Sequence, residues 1–237
     1  MLDIVVPVYN EDKGILKLLD EIQREIRTDK RVLIVYDFEG DTTVPVVEKN
    51  KEHYAFCIQL VRNRIGRGAL NAIKTGMQQA HGEMVLVMMA DSSDKLDVVD
   101  RMCRRMQKGY DLVCGSRYMR GGVQNGGPFF KSLLSKMAGI SLHKLTGIPT
   151  HDATNSFKLY RKSMLEHIHI ESTGGFEIGL EITVKAYIAG YRITEVASEW
   201  NDREQGESNF HMWAWMPHYL HWYFYCIRHR IIQKWFV

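Results

Sequence analysis

Short apolar runs alternate with stretches of helical period through the first half of the chain. Leu2–Pro7, Arg31–Tyr36, Phe56–Val61, Met84–Met89 and Asp111–Gly115 read as strands. Between the first two, Asp12–Arg27 sets Ile15, Leu18, Leu19, Ile22 and Ile26 on one helical face. Residues 42–52, 67–80 and 95–107 carry further helical patterns. Strands buried on both faces and separated by helices predict βαβ units. The expected fold is therefore α/β, a mostly parallel sheet flanked by helices.

The second half is less regular. Gly121-Gly122 and Gly126-Gly127-Pro128 predict a flexible loop, followed by a helix over 129–145. Ser156–Tyr160 and Arg192–Val196 read as strands, Glu177–Ala189 as a helix and Trp200–Asn209 as a polar turn. From His211 onward there is no Asp or Glu, and Arg228, Arg230 and Lys234 stand among Trp and Tyr residues. Met216, Leu220, Tyr223, Ile227 and Ile231 recur there at helical spacing. An amphipathic C-terminal helix over 211–237 is expected, appended to one domain over 1–210. Rings and cations on a helix too polar to span suit a membrane surface. A helix docked on its own domain, or an oligomer contact, is the competing reading.

Composition narrows the class. A chain of 237 residues, 45% hydrophobic and 25% charged, is an ordinary globular domain with a continuous core. A net charge of +3 does not single out nucleic acid; it suits anionic ligands such as diphosphates or lipid phosphates. The four cysteines form no CxxC pair and the ten histidines no ligand pattern. Reduced thiols imply a cytosolic compartment. The opening Met1-Leu2-Asp3-Ile4 runs straight into a strand without signal-peptide regions, and no stretch nears the roughly 20 apolar residues that span a bilayer. The expected location is cytoplasmic, peripheral to a membrane.

Ligands of open α/β sheets bind beyond the carboxyl ends of the strands. At the first exit, Pro7-Val8-Tyr9-Asn10-Glu11 offers a flat ring and hydrogen-bonding groups for a nucleobase and ribose, or simply a turn in which Asn10 or Asp12 caps the next helix. At the second, Asp37 suits a base or ribose, and Asp41 and Thr42 suit helix caps. At the fourth, Met89-Ala90-Asp91-Ser92-Ser93-Asp94 places a carboxylate directly after a buried strand, which calls for a cationic partner. Mg²⁺ takes one or two carboxylates and leaves its other positions to phosphate and water. Asp91, with Asp94 or Ser93, fits that pattern, although Asp94 also suits a cap for the helix over 95–107. Gly66-Arg67-Gly68 suits a phosphate-approaching loop at a helix start, but neither a Walker loop nor a GxGxxG fingerprint is present.

Taken together, these blocks resemble the family 2 glycosyltransferases of the GT-A, Rossmann-like fold. Val6–Glu11 looks like that family's nucleotide-binding opening, and Tyr36-Asp37 stands where it has an Asp-Asp pair. Gly66–Gly76 with Ala80-His81-Gly82-Glu83, then Gly115-Ser116-Arg117-Tyr118, Asp152–Tyr160 and Trp200–Ser208, follow in the family's order. Within it the likeness is greatest to dolichol-phosphate mannose synthases and related polyprenyl-phosphate sugar transferases. The resemblance implies a nucleotide-sugar donor, carrying UDP or GDP, held by Pro7, Tyr9, Asn10, Glu11, Asp37, Ala90 and Asp91, with Arg203 and Ser208 closing over its diphosphate. It implies Mg²⁺ or Mn²⁺ at Asp91 and Asp94. It implies a lipid-phosphate acceptor on Arg117, Lys131 and Ser135, with an oligomeric or membrane-subunit partner compatible with the family. A saccharide hydroxyl would instead require a base, for which Asp152 is the candidate. Three positions depart from the pattern: Met89 replaces the first Asp of Asp-x-Asp, Tyr36 replaces the first of the Asp-Asp pair, and Asn209 follows Ser208 where a lysine is common. These departures open a further reading, a sugar-nucleotide-binding subunit without catalysis.

Overall fold

The structure, a computed structural model, describes residues 1–202 and 212–235, the last stretch without the side chains at 212, 213 and 233–235. In chain order the strands are β1 Leu2–Pro7, β2 Lys30–Tyr36, β3 Cys57–Arg62, β4 Met84–Val87, β5 Leu112–Ser116, β6 Val123–Asn125, β7 Lys158–Arg161, β8 Ile193–Ala197 and β9 Glu199–Asn201. The helices are α1 Ile15–Glu25, α2 Thr43–Asn50, α3 Ala69–Gln79, α4 Val99–Gln107, α5 Phe129–Thr146, α6 Lys162–His167, α7 Ile178–Ile188 and α8 Met212–Trp235. A seven-stranded sheet runs β3-β2-β1-β4-β7-β5-β8. Every neighbouring pair is parallel except those of β7, which is antiparallel to both β4 and β5. The mostly parallel sheet expected from the apolar runs is what forms.

The sheet is covered on both faces, and this is why its strands are apolar without alternation. Leu2, Ile4 and Val6 of β1, with Val32 and Ile34 of β2, pack toward α1 and α4. Val5, Leu33 and Val35 point the other way, toward α3 and α7. All five residues placed on the α1 face from periodicity are buried to within 1% of full. Each such side chain contributes roughly 1.5–3 kcal/mol of burial. Helix α3 lies so close to the sheet that a Cβ on Gly76 would come 2.2 Å from Val5 Cγ1. One charge sits in β1: Asp3 is fully buried, paired with Arg31 of β2 at 2.7 Å, and accepts the His81 and Gly82 N–H groups that lead into β4. Burial alone would raise its pKa; the Arg31 and backbone donors reverse that and hold it below the usual aspartate value.

Three expectations are corrected. The glycine-flanked loop after Arg117 contains β6, which pairs in parallel with β9. The polar turn from Trp200 therefore begins as a strand, whose other side meets the segment after β4 through an Asp94–Trp200 bridge. The C-terminal helix presents a different face from the one its periodicity suggested. Trp222 and Cys226 are buried against Leu142, Leu180 and Val184, with Tyr219, Tyr223 and Ile227 packed around them. Trp222 also donates to Ser172, and the Tyr223 and Ser141 hydroxyls lie 2.8 Å apart. Leu220 and Ile231, assigned to the same stripe, are exposed instead. Docking on α5 and α7 claims the aromatic face, so α8 is a packed helix with Leu220, Phe224, Ile231 and Ile232 left outward.

Candidate active site

The polar residues singled out in the sequence gather at one edge of the sheet, the carboxyl ends of β1, β2, β4 and β5. Because β7 is antiparallel, its approach segment, 152–157, reaches the same edge. Asp91 and Asp94 follow β4, Arg117 follows β5, and Asp152 precedes β7. The topology thus explains how distant blocks become one site.

At the first exit, Pro7 closes β1 and the chain reverses through Asn10 at a φ of 54°. The Asn10 side chain accepts from Thr42 N–H at 3.1 Å, while its own N–H donates to Asp41. Asp41 also accepts from Thr43 N–H at 2.9 Å, at the start of α2. The Asn10 side chain is therefore tied to the turn before α2 rather than to its own following helix. Glu11 N–H donates to Thr43 Oγ1 at 2.8 Å. These bonds leave the Tyr9 ring 57% exposed, 5.6 Å from the Phe38 ring. At the second exit, Asp37 accepts from Asn63 Nδ2 and from Gly68 N–H, both at 2.7 Å. It lines a cavity of about 370 Å³ with Arg62, Asn63, Arg64, Gly66 and Arg67. Gly68, at a φ of 105°, starts α3 where a side chain would be strained.

The fourth exit is the most constrained. Ala90 is buried, Ser92 turns at a φ of 52°, and Ser93 N–H donates to Asp91 Oδ1 at 3.2 Å. Asp94 does not cap the helix that follows; it is buried at the base of the site. A 3₁₀ turn over Leu96–Val98 separates it from α4. Burial, then the neighbouring Asp91 charge, pushes its pKa up to about 7, although Arg117 and Asn155 favour the carboxylate. Asp94 Oδ1 and Ser93 Oγ are buried with no hydrogen-bond partner among the described residues. Orphaned oxygens beside a like-charged carboxylate fit a hard divalent cation. The described residues contain no cluster of three or more His, Cys, Asp or Glu that could hold a metal. Asp91 and Asp94 would therefore hold Mg²⁺ or Mn²⁺ only with oxygens brought by a ligand.

Arg117 is held bidentately by Asp152: Nε to Oδ2 at 2.7 Å and Nη2 to Oδ1 at 2.9 Å. The Arg117 N–H also donates to Asp152 Oδ2 at 3.0 Å. Burial opposes the guanidinium charge, but the Asp152 carboxylate outweighs it and raises the arginine pKa. Nη2 reaches Ser135 Oγ at 3.2 Å. Lys131 lies one turn earlier on α5, on the face of Ser135. The structure thus brings Arg117 and Ser135 into contact and puts Lys131 beside them. Asp152, anticipated as a base should the acceptor be a saccharide hydroxyl, is fully buried and engaged by the arginine fork.

Arg203 and Ser208, assigned to the donor diphosphate, and the expected boundary at 210 lie outside the described residues. Met89, at the first departure, packs against the core on the α3 side, and Tyr36 packs against the opposite core, so apolar contacts occupy both positions. The sequence reading missed Thr154, Asn155 and Lys158. Asn155 donates to Gly115 O at 3.1 Å and bonds the Asp94 carboxyl. Lys158 is fully buried and donates to the Ala153 carbonyl at 2.9 Å and to the Asn155 carbonyl, bracing the loop from below. Burial lowers its pKa. The available signal was the polar run Asp152–Ser156 directly before an apolar strand.

Dolichol-phosphate mannosyltransferase of Pyrococcus furiosus is 27% identical over 212 residues, covering 87% of this chain and 58% of that protein. The chain thus spans little more than half of that relative. Polyprenol monophosphomannose synthase of Mycolicibacterium smegmatis is 25% identical over 86% of this chain and 79% of its own length. In fold, the chain resembles glucosyl-3-phosphoglycerate synthase of Mycobacterium tuberculosis, solved with Mn²⁺, UDP-glucose and phosphoglyceric acid. The TM-score is 0.72 at 13% identity, over 96% of this chain and 79% of that one. That likeness shows the GT-A-type fold. The Glycosyl transferase family 2 profile matches residues 3–169, from the first strand through α5, β7 and α6. By that extent of match, over a sheet of this order, the chain belongs to glycosyl transferase family 2.

Proposed function

We propose that the chain moves a sugar from a nucleotide-sugar donor to a polyprenyl phosphate at a membrane surface. One observation carries this reading: helix α5, which carries Lys131 and Ser135 beside Arg117, also carries a large exposed apolar face. On the same helix Phe129 and Phe130 are 72% and 73% exposed, and Leu133, Leu134, Met137 and Leu145 are exposed with them. An isoprenoid phosphate has this polarity, an anionic head on a long apolar tail. The exposed side chains of α8 add to the apolar surface, so the membrane contact is assigned to α5 with α8 rather than to the C-terminal helix alone. No described helix is long and apolar enough to cross a membrane. The relatives named for polyprenol and dolichol phosphates support the same acceptor class.

The chemistry fits the groups present. A phosphate monoester is already anionic near neutral pH, so its oxygen attacks the anomeric carbon without a strong base, and the nucleoside diphosphate departs. This agrees with an Asp152 engaged by Arg117. Tyr9, Asp37 and the arginines of the adjoining cavity receive the nucleoside. Asp91 and Asp94 would hold a divalent cation, which would supply charge neutralisation for the leaving diphosphate. Arg203 and Ser208 close over that diphosphate. The proposed location is the cytoplasmic face of a membrane.

The test is transfer from a panel of UDP- and GDP-sugars to undecaprenyl phosphate in vesicles, with and without Mn²⁺. Lipid-linked sugar should form with one donor, and Asp91→Ala should lower kcat by at least about a hundredfold. Sugar appearing only on a saccharide hydroxyl, or turnover indifferent to Asp91→Ala, would overturn the reading.

A further inference from the structure

The acceptor side of the site contains two residues outside the assigned cradle, Asp152 and Thr154, and they join Arg117 and Ser135 in a ring of contacts. Arg117 donates to Asp152 and to Ser135. The Ser135 and Thr154 hydroxyls lie 2.8 Å apart. Thr154 Oγ1 in turn lies 3.5 Å from Asp152 Oδ1. Asp152 is fully buried, and its N–H is held by Thr150 Oγ1, which itself bonds Glu195. The two halves of the ring, α5 and the 150–154 segment, cannot drift apart easily. Gly139 of α5 lies so close that a Cβ there would come 2.2 Å from the His151 carbonyl oxygen.

We infer that Asp152 and Thr154 are positioning residues that fix Arg117 and Ser135 as a preformed cradle for the acceptor phosphate. The inference deepens the polyprenyl-phosphate reading and rests on it. Asp152 takes the Nε–Nη2 edge of the guanidinium, so the planar fork has one orientation. Among the described residues Nη1 makes no hydrogen bond, and its two protons are the ones left for an anion. A hydroxyl has one proton and two lone pairs. Arg117 Nη2 occupies one lone pair of Ser135. Thr154 occupies the other if it donates across the 2.8 Å contact. The reverse arrangement would leave the Thr154 proton only the 3.5 Å contact to Asp152, at the limit of a useful bond. With both lone pairs taken, the Ser135 proton must point outward. The Tyr118 hydroxyl, which donates to Gln124 at 2.7 Å, lies near Ser135. A phosphate oxygen is the stronger acceptor for the Ser135 proton, since bonds to ionised groups are roughly twice as strong. Thr154 thus acts through Ser135, and Asp152 acts through Arg117. Neither touches the phosphate.

The experiment is steady-state transfer to farnesyl phosphate in detergent, with thermal melts on every variant. Thr154→Val, which keeps the shape and loses the hydroxyl, should raise KM for farnesyl phosphate about tenfold and leave kcat within about twofold. Thr154→Ser should restore the wild-type KM. Ser135→Ala combined with Thr154→Val should be no worse than Ser135→Ala alone, because Thr154 has no other route to the ligand. Asp152→Asn should raise the same KM while leaving the shape of the kcat/KM pH profile unchanged; should that variant unfold, the Thr154 pair decides. Additive Ser135 and Thr154 effects, an unchanged KM in Thr154→Val, or loss of the acid limb in Asp152→Asn would each overturn the inference. Absence of product from wild-type protein would remove the acceptor reading and the inference with it. Wild-type product with an unmoved Thr154→Val removes the inference alone.

Discussion

At the scale of single residues, neighbours in sequence have opposite physical situations. Asp91 is half-buried at the mouth of the site; Asp94 is sealed beneath it with an orphaned oxygen. Burial, with the neighbouring Asp91 charge, keeps the Asp94 proton to about pH 7, so above that pH the folded protein carries a buried charge that Arg117 and Asn155 offset only in part. A cation would relieve it. Asp94→Asn should therefore melt at or above the wild-type temperature at pH 8 without ligand. The same variant should lose the added stability that Mn²⁺ and donor together give wild-type protein, read as a thermal shift. Asp91, Arg117 and Ser135 were singled out because each lies within a short block that can be compared as a string. The contact made by Asp152 was not legible, since an aspartate before a strand reads alike as base or cap. Its pairing with Arg117 comes from the tertiary structure.

At the scale of elements, α3 and α5 behave differently. The α3 pattern was clear, but nothing in it revealed that Gly76 is the contact point with Val5 and Val35. Gly76→Ala should push the helix off the sheet and lower stability by about 1–3 kcal/mol, measured by urea unfolding. Helix α5 was expected over 129–145 and forms over Phe129–Thr146. Its apolar face was not foreseen, because a run such as Phe129-Phe130-Lys131-Ser132-Leu133-Leu134 looks like an ordinary core helix. The core takes only Gly139, Leu142 and Thr146 from it. Replacing Phe129 and Phe130 with Ser should leave the melting temperature within about two degrees, since neither is buried. It should sharply reduce co-sedimentation with vesicles of anionic lipid. Unchanged sedimentation would remove α5 from the membrane contact. Strands β6 and β9 escaped the sequence reading for a simpler reason: three residues each are too few to show a period.

At the scale of the whole molecule, buried carboxylates set the acid response. The exposed Glu171, bonded to Lys185, has a depressed pKa, and so do Asp3 and Asp100 among the buried and half-buried carboxylates. Both pay for burial first, and both are brought below the usual value by donors, Arg31 and backbone N–H for Asp3, Thr28 and backbone N–H for Asp100. A depressed carboxylate stabilises the fold above its unfolded pKa, and that contribution is lost as pH falls through the folded value. Stability should thus decline below about pH 4. Asp3→Asn should shrink that acid limb and cost about 3 kcal/mol at pH 7, because Arg31 would lose its partner. Denaturant melts from pH 2.5 to 7 would show it. Asp94 works in the opposite direction, since its folded form binds the proton more tightly than the unfolded chain, so its penalty develops as pH rises toward 7.

The sequence by itself determined the α/β class, the two-faced burial of the sheet, the family and the strand exits where ligands gather. Those properties are local or repetitive: apolar runs, helical periods and short motifs survive being read one segment at a time. The tertiary structure alone decided the rest. It turned β7 antiparallel and so carried Asp152, Thr154 and Asn155 to the edge occupied by Asp91 and Arg117. It docked the aromatic side of α8 on α5 and α7, leaving the phenylalanines of α5 to the surface. Contacts between residues dozens of positions apart depend on how layers stack, and stacking depends on the summed shape of many side chains, which no single segment encodes.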